Sequence, residues 1–246
     1  VTDMLLGITL SVSTLTGGAD NKKVFDIEEI CEDDLIENCN THKSFLSLSA
    51  YWIMKSQICY IHGDYTQALT AIQKSESLLI YIRGLFSTAQ YTFYSSLIHL
   101  ALVSEVSQGK REAYLRVVKE NQKKMSCWAD NCEENFKNKY LLVEAELARI
   151  NGNQLEAMRL YEKSIALARE NGFLQEEALA NEQAGKLYLE LKMDRFAGMS
   201  IREARYLYSK WGAKVKVQLM DKMYSIYLSD MDKNGTNISS TAMQYD

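Results

Sequence analysis

Four stretches of this chain agree with one another at fixed offsets, and agreement of that kind leaves few folds open. Counting from Gly63 and from Gly152, offset five is Ala68 or Ala157, offset six is Leu69 or Met158, and offset nine is Ile72 or Tyr161. A third copy counted from Lys192 gives Ala197, Ile201 and Ala204 at offsets five, nine and twelve. A weaker copy from Gly109 gives Tyr114 and Val118. The starts at 63, 109, 152 and 192 lie 46, 43 and 40 residues apart. A unit of that length holds two helices of about 18 residues, each ~27 Å long at 1.5 Å per residue, joined by a short turn. Glycine at the turn supplies the positive φ that ends the first helix. The small residue at offset five lets the second helix approach closely, and the larger one at offset nine fills the space above it.

Composition agrees with a helical chain. Average usage would place roughly a dozen prolines in this length, at about 5%, and the 246 residues contain none. No helix is therefore interrupted by a ring without an N–H. The first helices of the hairpins are expected at 44–61, 87–107, 134–150 and 173–191, and the second at 65–82, 110–127, 154–171 and 194–210. These make hairpins over 44–82, 87–127, 134–171 and 173–210, with a capping helix at 213–228. Such hairpins hide their apolar stripes only against neighbours, so several are required. Residues 1–228 read as one all-α solenoid, and 229–246, polar and without period, as a tail or linker. The stripe Ile27, Ile30, Cys31, Leu35 and Ile36 predicts a helix packed on the first hairpin. The opening apolar stretch reads as core packing, because Asp3 stands where an export signal wants positive charge. The first residue is Val, which suggests a piece of something longer.

Several functions are disfavoured. A net charge of −4 and a pI near 5.6 remove the basic footprint of a nucleic-acid binder. No apolar run is long enough to insert in a membrane. Five cysteines, Cys31, Cys39, Cys59, Cys127 and Cys132, form an odd set that fits a reducing cytoplasm, where the sequons at Asn234 and Asn237 carry no meaning. The pairs Cys39/His42 and Cys59/His62 share C-x-x-H spacing, yet nothing turns them toward one another, and helix packing is the better reading. Cys127 and Cys132 have neither a redox nor a common zinc spacing, and Trp128 between them is suited to anchor the next repeat. The chain has no phosphate-binding glycine motif and, with His42, His62 and His99 its only histidines, no nucleophile–histidine–acid grouping stands out. No catalytic, cofactor or metal site is assigned. The adjacent acids Asp33-Asp34 and Glu176-Glu177 point to different sides of a helix and read as solvated faces. Late in the chain Arg202, Arg205, Lys210, Lys214 and Lys216 gather, either as a docking patch for an acidic partner surface or, as preferred, as charge that keeps a terminal repeat soluble.

The motif Gly63-Asp64-Tyr65-x-x-Ala68-Leu69, continued by an aliphatic and Lys74-Ser75, resembles the tetratricopeptide repeat (TPR), with a period longer than its usual ~34 residues. The fold expected is a TPR-like α-solenoid of antiparallel hairpins with lengthened repeats. At greater length, "FDIEEICEDDLIENC" (25–39), "GLFSTAQYTFYSSLIHLAL" (84–102), "WADNCEENFKNKYLLVEAELARI" (128–150), "EAMRLYEKSIALARENGFLQEEALANEQAGKLYLE" (156–190) and "REARYLYSKWGAKVKVQL" (202–219) resemble the helical region inside bacterial multi-sensor signal transduction multi-kinases. Two departures stand out: relatives place a proline shortly after the last helix begins, where this chain has "LMDKMYSIYL", and an apolar or aromatic residue at the position of His62. The resemblance implies an array set between a Ser/Thr kinase with a P-loop ATPase domain on one side and a GAF sensor with a histidine kinase on the other. It implies no catalytic residue and no cofactor here. The role implied is that of a regulatory scaffold contacting a protein partner or neighbouring domains of its own polypeptide. The rival expectation is a sensor that binds a peptide or small ligand in the concave groove.

Overall fold

The computed structural model describes residues 2–18 and 31–228, and every regular element among them is helical. The order is α1 (Thr2–Thr16), α2 (Glu32–Thr41), α3 (Phe45–His62), α4 (Tyr65–Glu76), a 3₁₀ turn (Leu79–Ile82), α5 (Phe86–Leu102), α6 (Gln108–Asn131), α7 (Glu133–Ile150), α8 (Gln154–Glu170), α9 (Leu174–Glu190), α10 (Asp194–Trp211), α11 (Lys214–Met223) and α12 (Ser225–Leu228). Helices α3/α4, α5/α6, α7/α8 and α9/α10 pack as consecutive hairpins. This is an all-α, TPR-like solenoid.

One backbone device closes six of the turns. Gly63, at φ +87°, donates its N–H to Tyr60 O at 3.0 Å, and Asp64 N–H reaches back to Cys59 O at 2.9 Å. Two carbonyls left over at the helix end are thereby satisfied. The same pair of bonds recurs at Gly152, Gly172 and Gly212, and at two residues that are not glycine, Lys43 and Lys192, at φ +54° and +59°. Lys192 thus holds the backbone role that the repeat offsets give it. Gly109 does not: it lies in the first turn of α6. With no left-handed residue between α5 and α6, the chain reverses through residues 103–107, so α5 stops at Leu102 short of the expected 107. The expected cap at 213–228 is likewise two helices, broken at Tyr224.

The offsets mark the close contacts. Ala68, Ala157 and Ala197 are wholly buried, and so are Tyr161 and Ile201 above the latter two, with Ile72 at 1% exposure. A methyl on Gly185 of α9 would fall 2.9 Å from Ile201 Cγ1 of α10, so that pair of helices meets where one of them has no side chain. In the amino-terminal part α1 lies on α3, with Gly7 against the Tyr51 ring, and α2 buries Leu35 and Cys39. Ile27 and Ile30, expected on that helix, lie outside the described residues, as does the tail 229–246.

The solenoid curls far enough for its beginning and end to touch. Helix α11 contacts both α1 and α3. Helix α9, in the last hairpin, is buried at every position from Glu176 to Gly185, and so around its whole circumference. Over this stretch α9 therefore has no face open to solvent. Consecutive burial normally marks an apolar helix, but this one carries Glu176, Glu177, Asn181, Glu182 and Gln183.

Candidate functional site, a buried polar hub and a basic outer helix

Polar groups brought out of water must find partners inside, and those on α9 reach nearly every neighbouring helix. Glu182 stands at the centre. Its carboxylate accepts from Lys216 Nζ of α11 at 2.7 Å and from Tyr208 Oη of α10 at 3.1 Å, and Lys186 lies 3.3 Å away one turn along. Burial alone would raise its pKa, but the charges of Lys186 and Lys216 outweigh burial and hold it at about 2. Burial, with Lys186 beside it, draws Lys216 below the ordinary ammonium range despite the attraction of Glu182. Across the axis Gln183 donates to Tyr60 Oη of α3 at 3.0 Å, Lys186 to Tyr65 Oη of α4 at 3.4 Å, and Gln175 to Tyr94 Oη of α5 at 2.7 Å. Burial drives the Tyr60, Tyr94 and Tyr208 phenols well above their usual range, so all three remain neutral donors and acceptors.

The adjacent acids Glu176 and Glu177, expected on a solvated face, are buried instead. Being neighbours in sequence they point apart, and each meets a different helix: Glu176 pairs with the buried Lys139 of α7 at 3.0 Å, and Glu177 with Arg169 of α8 at 2.7 Å. Lys139 also lies 4.2 Å from the Phe173 ring. Beside them Glu146 of α7 accepts from Tyr161 Oη of α8 and from Arg149, whose other nitrogen reaches Glu190 of α9 at 3.0 Å. A carboxyl held near 2 and engaged by three donors is not poised for proton transfer near neutrality. The hub braces helices against each other.

The five cations expected to form one patch are divided by the fold. Lys216 is corrected from surface to interior, because α11 turns that face onto α9. Arg205 forms two bonds to Asp221 of α11, at 2.5 and 3.0 Å, and Arg202 donates to Tyr227 O of α12 at 3.0 Å. Both fasten the cap to α10. Lys210 and Lys214 are exposed.

Cysteine and histidine chemistry is muted in the same way. Burial raises the thiols of Cys39 and Cys59, the latter to about 12. Among the described residues no three His, Cys, Asp or Glu side chains gather as metal ligands would. His62 Nε2 is buried without a hydrogen-bond partner, and burial, aided by the nearby Lys216 charge, lowers its pKa to about 4. Trp128 does anchor the following repeat, its ring 5.9 Å from Phe136 of α7. No helix among the described residues is long and apolar enough to cross a membrane.

The outside offers recesses between successive helices. One of about 670 Å³ runs between α6 and α7, floored by Leu115, Tyr140 and Leu147 and edged by Lys119 and Lys123. A second, of about 770 Å³, lies where α8 meets α9, around Leu155, Met158 and Tyr188. Helix α6 is strongly cationic, with Lys110, Arg111, Arg116, Lys119, Lys123 and Lys124 against Glu112, Glu120 and Asp130. The repeat offsets mark this helix only weakly and say nothing of its charge, and its basic residues lie far from the later cluster, although "KREAYLRVVKENQKK" displays their density plainly.

Comparison with known proteins agrees with this architecture. The family model for CHK1-like TPR repeats matches residues 24–230. A hybrid signal transduction histidine kinase, protein G of that series from Dictyostelium discoideum, is 27% identical over 232 residues, covering 80% of this chain. The chain spans about 7% of that relative's length. No solved structure matches. With hairpins, turns and the greater part of its length accounted for by one family model, the chain belongs to the CHK1-like TPR repeat family.

Proposed function

We propose that this chain is a non-catalytic regulatory region of a larger signalling kinase, working in the cytoplasm and passing or gating signals between neighbouring domains through protein contacts. The observation that carries the reading is the assignment of its buried charges. Glu176, Glu177 and Glu182 each engage a cation of another helix, and Glu146 holds Arg149 of its own helix and the Tyr161 hydroxyl of the next, so the interior is committed to holding a shape. Recognition is left to the outside, where the inter-helix recesses and the exposed Lys210 and Lys214 lie. The relative supports the context, being a signalling histidine kinase in which a matching stretch is a small fraction of the whole. A curled array whose two ends touch moves as one body, and that is how a change at one flank reaches the other. In the full-length gene product, removing residues 45–211 is expected to change autophosphorylation several-fold, and an unchanged rate contradicts the proposal. The isolated chain is expected to transfer no phosphate from ATP, and measured transfer overturns it from the other side.

A further inference from the structure

We infer that the recess between α6 and α7 receives an acidic amphipathic helix of a partner protein, which rests on the protein-interaction role proposed for the chain and names its surface. Charge is the first observation. Helix α6 holds six basic residues and three acidic ones in a chain whose net charge is −4, so positive charge is concentrated on this element against the trend of the whole. Arg116, Lys119 and Lys123 recur at three- and four-residue spacing and so share one face. Lys119 and Lys123 stand on the edge of the recess itself. Glu120 among them pairs with Lys123 at 2.7 Å, and Glu144, on the opposite wall, is engaged by Gln122 at 2.7 Å. Lys137, one turn before Tyr140, adds a further cation 5.5 Å from that ring.

Shape is the second observation. The wall from Leu115 to Ser126 extends ~17 Å along the axis, about three helical turns. Both walls are helices whose main-chain groups are bonded within themselves, so an extended strand would find no ladder to join. A helix satisfies its own backbone and needs only an apolar stripe for Leu115, Tyr140 and Leu147, with carboxylates flanking the stripe for the lysines.

The test uses a fluorescein-labelled 18-residue helical peptide carrying leucines at three- and four-residue spacing and glutamates beside them. Its lysine counterpart and vesicles of phosphatidylcholine with phosphatidylserine serve as alternatives. Fluorescence anisotropy is expected to show the glutamate peptide binding at least tenfold more tightly than the lysine peptide, and more weakly as salt is raised. The double substitution Lys119→Glu/Lys123→Glu is expected to reverse that preference, with the melting curve by circular dichroism unchanged. Leu147→Gln, checked in the same way, is expected to weaken the glutamate peptide at least fivefold, a loss that charge attraction alone would not produce. Equal binding of the two peptides overturns the proposal, as does an affinity for the glutamate peptide that stays within twofold after the lysine reversal. Vesicle binding that depends on these lysines, without peptide binding, overturns it in favour of a membrane surface. A null result here beside a several-fold effect of removing residues 45–211 sinks the recess and leaves the regulatory role standing; the converse pair sinks that role and leaves the recess.

Discussion

Lys192 holds a backbone conformation that its side chain disfavours. At φ +59° it sits where every residue with a Cβ pays about 1–2 kcal/mol, and it does so because the turn between α9 and α10 needs the same two bonds that Gly63 and Gly152 close. Lys192→Gly is therefore expected to stabilise the chain, by about 0.5–1 kcal/mol once the added freedom of the unfolded glycine is subtracted. Denaturant unfolding reads the shift in midpoint, and a loss of stability would contradict the assignment. The offsets made this residue legible as a turn, because it precedes Ala197 and Ile201 as Gly63 precedes Ala68 and Ile72. They misled at Gly109, since a glycine in the first turn of a helix and one just past the end of a helix look alike in one dimension.

His62 and Glu182 shape the pH response. His62 titrates near 6.5 when unfolded and is lowered to about 4 in the fold, mainly by burial and then by Lys216. The unfolded chain binds the proton first, so stability is full above about pH 6.5 and falls as pH drops toward 4. Glu182 is lowered from 4.5 to about 2, so its contribution is present above about pH 4.5 and is lost as pH falls toward 2. Unfolding free energy measured from pH 7.5 to 4 is expected to decline, and His62→Gln to flatten that decline; what slope remains belongs partly to His99, which burial also lowers. A profile that rises on acidification contradicts the His62 assignment; the Glu182 contribution is read by carrying the titration on toward pH 2, where a further decline is expected.

Among the elements, α9 and α10 meet with no room to spare at Gly185. Gly185 and Ile201 approach so closely that Gly185→Ala forces the isoleucine or its backbone to move, and a cost of about 1–3 kcal/mol is expected. Calorimetry of that variant checks it, and a melting temperature equal to the parent's would show the seam to be loose. The helical hairpins themselves were legible, since alternation of small and large residues at offsets five and nine is a local property of α4, α8 and α10. The polarity of α9 was not. Glu176 and Glu177 look like solvent-facing acids in sequence because their partners, Lys139 and Arg169, come from two other helices. Lys216 was misplaced for the same reason, as its partner Glu182 is 34 residues away. The basic density of α6 was fully visible in the sequence and needed only the recess beside it to acquire meaning.

At the scale of the molecule, the array is more closed than a repeat pattern alone implies. Neighbour-to-neighbour burial explains the hairpins, whereas contacts such as Gln183 to Tyr60, 123 residues apart, arise only once the whole has curled. Glu182→Leu removes the acid that holds α10 and α11 to α9 and leaves Lys216 buried without its counter-charge. A loss of about 3–5 kcal/mol is expected, with Glu182→Leu/Lys216→Leu recovering much of it. A double variant as unstable as the sum of the two single ones would show that the pair does not act together.

Helix α9 as the enclosed centre of the array is the claim on which the rest depends, and hydrogen–deuterium exchange of the native chain, resolved peptide by peptide, tests it most directly. Amides of residues 176–188 are expected to exchange among the slowest in the chain, in step with those of α3 and α5 that α9 touches across the axis. If they exchange as fast as those of the outer helices α6 and α8, the solenoid is open and the polar hub does not form.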